Sequence, residues 1–187
     1  MYSIPSVPRR VFVWIDVYSI KPIETNYDGY AFRSRTEARY AHMWRTSFWP
    51  YEFEKQSFVL ECGGFVPDFW LPGRGWFEVK GPPPTSHHEE LCRCLAVETK
   101  EFVALGHGQP GLDTILMCFH PNGEKFSTTL VWYLTQRSSL ETAGRAINAA
   151  RTKRFYRDPP ETKVVPLRLV ETPVPVHACH ESPNAAR

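Results

Sequence analysis

The segment Phe65–Pro82, FVPDFWLPGRGWFEVKGP, constrains the fold more than any other part of the chain. Two aromatic, apolar runs flank Pro72-Gly73-Arg74-Gly75, and Pro82-Pro83-Pro84 stops the second. Such a pattern predicts strand, tight turn, strand. Cys62-Gly63-Gly64 supplies an earlier turn, so three short strands are expected, over roughly 52–60, 65–71 and 75–80. Together they form an antiparallel meander. The polar residues within it are out of place for core strands. Asp68 follows Pro67 inside an aromatic run, and Glu78 and Lys80 flank Val79.

The surrounding chain supplies layers for that meander. VFVWIDVYSI, Val11–Ile20, reads as a strand, and NYDGY as a turn centred on Asp28-Gly29. Ser34 with Glu37, Ser86 with Glu89 and Ser138 with Glu141 have capping-box spacing. They predict helices reaching about Pro50, Phe102 and Tyr156. LDTILMCFH and STTLVWYL read as two further strands. The resulting order is strand, helix, three strands, helix, two strands, helix. It defines an α/β class with a mixed central sheet flanked by helices. Residues 1–25 form an N-terminal extension with a strand, 26–158 the main domain, and 159–187 a proline-rich tail. That tail holds six prolines and no aromatic residue, a composition expected to be disordered.

Charge matters through its distribution, because the net charge of the 187 residues is only +2. Residues 33–45 carry four arginines against one acid, and 137–158 carry six basic residues against two acids. Between 46 and 110, nine acids face five basic residues. Two basic helices either form one positive face or are two solvated faces. Five cysteines form no CxxC pair and no disulfide framework, which points to a reducing, cytoplasmic setting. No signal pattern and no membrane-length apolar run is present, so no membrane partner is expected.

Strand alternation places Glu78 and Lys80 on one face, with Cβ atoms about 6.6 Å apart. The turn brings Asp68 beside Glu78. Two adjacent carboxylates repel unless a cation compensates them. Hard oxygen donors suit Mg²⁺, with Mn²⁺ as a substitute. A lysine on the same wall can orient or deprotonate a water, or stabilise charge on a phosphate. A solvent-exposed E-x-K ion pair is the plainer reading, but the flanking Phe69, Trp70, Trp76 and Phe77 fit it poorly.

VPDFWLPGRGWFEVKG resembles the core of the PD-(D/E)xK nuclease superfamily, through Pro67-Asp68 and Glu78-Val79-Lys80. YDGYAFRSRTEARYAHMW resembles the first-helix motif of its phage-encoded, resolvase-like branch, and RTKRFYR resembles that branch's closing segment. The likeness covers roughly Asn26 to Tyr156. It implies a restriction-endonuclease-like core of order αβββαβ, making residues 26–158 the nuclease domain. It further implies a metal site of Asp68, Glu78, the Val79 carbonyl and Glu37, with Lys80 positioning the attacking water. Glu37 is also explained as the third residue of a capping box, and the two roles do not exclude each other. Relatives of this kind often work as dimers, so a homodimer is an open option.

Arg33 and Arg35 flank a helix N-terminus, where free amides and the helix dipole favour phosphate. Arg151 and Arg154 on the last helix are weaker candidates for nucleic-acid contact. The functional expectation is a Mg²⁺-dependent endonuclease acting on DNA, with structure specificity an open option. The alternatives are a non-catalytic nucleic-acid-binding module on the same fold and an RNA-directed nuclease. His87-His88 and Cys92-x-Cys94 are not expected to bind metal. HACH, His177–His180, holds three potential zinc ligands without a partner cluster.

Overall fold

The computed structural model describes residues 22–155. The strand expected over Val11–Ile20, the proline-rich tail and the HACH cluster lie outside the described residues. The chain opens with a hairpin of β1 (Thr25–Tyr27) and β2 (Tyr30–Phe32). Asp28 and Gly29 turn it with φ of 51° and 82°, the left-handed geometry a two-residue hairpin needs. Helix α1 (Arg35–Thr46) follows, capped by Ser34, whose hydroxyl accepts from the Glu37 amide at 3.2 Å. It buries Ala38, Tyr40, Ala41, Met43 and Trp44 on one face.

The protein is mixed α/β, with a six-stranded mixed sheet and four helices among the described residues. The sheet order begins at one edge with β10 (Lys125–Thr129), β9 (Ile115–Phe119) and β8 (Val103–His107). It continues through β7 (Gly75–Lys80) and β6 (Phe69–Leu71) to β3 (Glu52–Phe53). Among the described residues only β7 and β8 run parallel, joined by the crossover helix α2 (Ser86–Thr99). A separate hairpin pairs β4 (Phe58–Leu60) with β5 (Gly63–Phe65). Helices α3 (Leu130–Thr135) and α4 (Leu140–Thr152) complete the fold.

The sheet separates two cores by strand alternation. Phe69, Phe77 and Val79 join Tyr40, Trp44, Trp49, Tyr133 and the alanines of α4. On the opposite face Trp76, Val103 and Leu105 pack with Cys92 and Leu95 of α2. Complete burial of a side chain such as Phe77 contributes about 1.5–3 kcal/mol over leaving it exposed. At Gly75 the start of β7 meets the Phe102 carbonyl so closely that a Cβ would lie 2.0 Å from its oxygen. The adjacent Trp76 amide donates to that same oxygen at 2.8 Å.

Several sequence expectations are corrected. The strand expected over 52–60 is two strands in different sheets, because Glu54 takes φ 45° and breaks the run. The strand expected over 65–71 is likewise divided, and Pro67 lies in the gap between β5 and β6. In α2 the cap is Thr85, with His88 returning to the Thr85 backbone, one residue before the expected box. In α4 the cap is Ser139, one residue after it. STTLVWYL is the end of β10 followed by α3, because the Thr129 side chain caps the Trp132 amide. Strand β8 was not expected, because Gly106 and Gly108 disguise it as a turn.

Candidate functional site

Asp68 stands between Pro67 and β6, and β7 returns directly beside it. Phe69 pairs with Phe77, so the next position outward sets Asp68 against Glu78. The Asp68 amide donates to Glu78 Oε2 at 3.0 Å, and the Val79 amide donates to Asp68 Oδ2 at 2.8 Å. Both acids are 1% exposed. Lys80 Nζ reaches Glu78 Oε1 at 2.5 Å, as expected for alternate residues of one strand.

Arg33 reaches the pair from the end of β2. Its Nη2 donates to Asp68 Oδ1 at 2.8 Å, and its Nε pairs with Glu54 Oε1 at 2.9 Å. Glu54 in turn donates its amide to the Asp68 carbonyl. Glu37 is also buried. Its Oε1 accepts from the Ser34 hydroxyl at 2.8 Å and its Oε2 from the Arg33 amide at 2.9 Å. Every carboxylate oxygen of Glu37, Asp68 and Glu78 therefore accepts from a protein donor.

The electrostatics follow from burial. Desolvation, then repulsion from Glu78 and Glu37, holds the Asp68 carboxyl well above its ordinary pKa. Burial also raises Glu78, opposed by Lys80. Burial alone would lower Lys80, but the Glu78 and Asp68 carboxylates outweigh it and hold the ammonium above its usual range. Lys80 is thus a charged donor, suited to orienting a ligand rather than removing a proton. Burial raises the thiol of Cys92, which feels both Glu78 and Asp68 from α2.

The residues singled out in the sequence are placed as follows. Asp68, Glu78 and Lys80 come together. Val79 joins them through its N–H. Glu37 lies close enough to raise Asp68, yet its oxygens are committed to the start of α1. Among the described residues no group of three or more His, Cys, Asp or Glu side chains is arranged to hold a metal ion. The donor chemistry nevertheless suits a hard cation at two of them. Asp68 and Glu78 are buried carboxylates destabilised as anions, and the half-exposed Arg33 and the mostly buried Lys80 provide the nearby positive charge.

Arg33, expected at phosphate, is bound to acids. Arg35 is half-buried, and Arg151 and Arg154 are exposed. None of these three makes an ion pair among the described residues. Arg35 lies one turn before Arg39, whose pKa falls through burial and then through Arg35. Cys92 and Cys94 diverge, Cys92 toward the acids and Cys94 toward Glu90. The sequence reading missed Glu54 and Cys92. Glu54 carries no spacing signal, and Cys92 is seen only once α2 is known to cover that face.

Comparison with protein-family models, with curated proteins and with solved structures gave no match. Among the described residues, no helix is long and apolar enough to cross a membrane.

Proposed function

We propose that the protein is a metal-dependent endonuclease of the PD-(D/E)xK superfamily, hydrolysing phosphodiester bonds of DNA. The observation that carries this reading is the buried, hydrogen-bonded Asp68–Glu78 pair with Lys80 on the same strand face. With the separate β4–β5 hairpin set aside, the main-sheet order α1, β3, β6, β7, α2, β8 supports a restriction-endonuclease-like core. Asp68 and Glu78 would hold Mg²⁺, with Glu37 as a further candidate once released from its cap. A Mg²⁺ ion held there would supply Lewis-acid chemistry at the phosphate. Lys80 holds its proton and presents a fixed positive charge toward a phosphate oxygen. Arg33 and Arg35 would meet the flanking backbone, joined by Arg151 and Arg154 on α4.

A second reading, a non-catalytic nucleic-acid-binding module on the same fold, has one specific observation in its favour. Both oxygens of Glu37 are engaged at the start of α1. Cleavage separates the two. Wild type should nick supercoiled plasmid in Mg²⁺ or Mn²⁺, whereas Lys80→Ala and Asp68→Asn should lose at least about two orders of magnitude in rate. Equal backgrounds for all three proteins in both metals would sink the nuclease reading. Salt-sensitive DNA binding without cleavage would select the second. A panel of linear, nicked, branched and single-stranded DNA, with RNA beside it, identifies the preferred strand.

A further inference from the structure

At the other end of the β6–β7 hairpin lies a different kind of site. Leu71, Pro72, Gly73 and Arg74 form a tight turn, with the Arg74 amide donating to the Leu71 carbonyl at 2.8 Å and Gly73 at φ 71°. The Arg74 guanidinium lies over the Trp49 ring at 4.4 Å and near the Tyr133 ring at 5.8 Å. Its Nη1 reaches the Tyr133 carbonyl only at 3.5 Å, and its Nε and Nη2 are buried without a hydrogen-bond partner. Arg137 crosses the same turn, its Nη1 positioned 3.3 Å from where a Gly73 Cβ would stand.

Arg74 and Arg137 both line one cavity of about 410 Å³, and among the described residues no carboxylate lines it with them. That volume is within the roughly 300–1,000 Å³ typical of small-ligand sites. Neither arginine makes an ion pair among the described residues. Burial lowers the Arg74 pKa; Tyr133 opposes it and the like charge of Arg137 adds to it. Orphaned buried donors of this kind call for an acceptor.

The cavity rim adds an aromatic ring. The Trp49 amide bonds the Trp44 carbonyl and the Phe48 amide bonds the Arg45 carbonyl, at 2.9 and 3.1 Å. This is a Schellman ending to α1, in which Phe48 occupies the left-handed position usually given to glycine. Phe48 has φ 59° and is 89% exposed. Backbone strain and solvent exposure both disfavour a phenylalanine here, and packing does not explain it.

We propose that this cavity binds the phosphate of a nucleotide, with Arg74 and Arg137 on the phosphate and Phe48 against the base. Two guanidiniums supply forked donors matched to phosphate oxygens. An exposed ring supplies a stacking surface that any base can use. The site is separate from the acids, about 10 Å along β6 from Asp68. It does not depend on the nuclease reading.

Equilibrium binding to the full chain in EDTA tests it, which keeps metal-dependent contacts at the acid pair out of the measurement. The probes are inorganic phosphate, dAMP, and matched oligodeoxynucleotides with a 5′-phosphate or a 5′-hydroxyl. Phosphate and dAMP should bind wild type, and Arg137→Ala should weaken both about tenfold. Phe48→Ala should weaken dAMP several-fold and leave inorganic phosphate unchanged. Arg137 is exposed, so its variant tests the site even if Arg74→Gln fails to fold. Preference for the 5′-phosphorylated strand over dAMP assigns the phosphate to a strand end, and the reverse assigns it to a free nucleotide. No binding of any probe, or binding indifferent to Arg137→Ala, overturns the proposal. An unchanged dAMP affinity in Phe48→Ala overturns the role given to the ring.

Discussion

Arg33 Nη2 lies 2.8 Å from Asp68 Oδ1, so a half-exposed guanidinium covers one face of a fully buried carboxylate. Under the proposed function, that arginine competes with a metal ion for the same oxygen. Arg33→Ala removes the competitor and a positive charge together. Mg²⁺ should then bind several-fold more tightly, measured by calorimetry. Unchanged or weaker binding would show that the Arg33–Asp68 pair and the metal do not compete.

The raised carboxyls make a stability prediction with a definite sign. Asp68 and Glu78 both have folded-state pKa values above their unfolded ones. Their contribution is therefore fully present below about pH 4, where the unfolded carboxyls titrate. It is lost as pH rises through the folded values. Denaturant midpoints taken from pH 5 to pH 8 should show this loss in wild type. The double variant Asp68→Asn/Glu78→Gln should have a flatter profile; an equal slope would show that the two acids do not carry the effect.

Gly75→Ala places a methyl group 2.0 Å from the Phe102 carbonyl oxygen, on a backbone at φ 90°. The β7–β8 contact must open to admit it. A loss of about 3 kcal/mol or more is expected in urea unfolding. A loss under about 1 kcal/mol would mean that the junction yields easily.

Phe48→Gly should do the opposite. Glycine accepts the left-handed conformation without the steric cost of a Cβ, and the Phe48 ring is almost wholly in solvent. A gain of about 1 kcal/mol is expected, read as a higher melting temperature. A fall would show that the ring packs in the folded state.

Legibility in the sequence followed the range of the interaction. The bounds of β7, the Asp28-Gly29 turn and the Ser34 cap were readable, because alternation, turn chemistry and capping are decided within a few residues. The meeting of Asp68 with Glu78 was readable for the same reason, since one tight turn joins them. The Arg33–Glu54 pair was not. It depends on the β3–β6 pairing, which sets Glu54 beside Asp68 where Arg33 also binds, and on a left-handed Glu54 that no residue preference suggests. The caps of α2 and α4 were displaced by one residue because Thr85, Ser86, Ser138 and Ser139 all have capping side chains. Local chemistry does not choose between such neighbours; the packing of each helix does. The Arg74–Arg137 cavity was invisible because the sequence separates its arginines by a whole sheet crossover.

The two edges of the six-stranded sheet differ in what they offer another backbone. At one edge β3 exposes only the length of Glu52–Phe53, too short a template for strand addition. At the other, β10 presents Lys125, Ser127 and Thr129 to solvent, with Lys125 tied to Glu89 of α2. A charged and polar margin of that kind resists growth of the sheet by self-association. Among the described residues, then, neither edge offers a long apolar strand to a second copy, and copies that meet would join through side-chain packing.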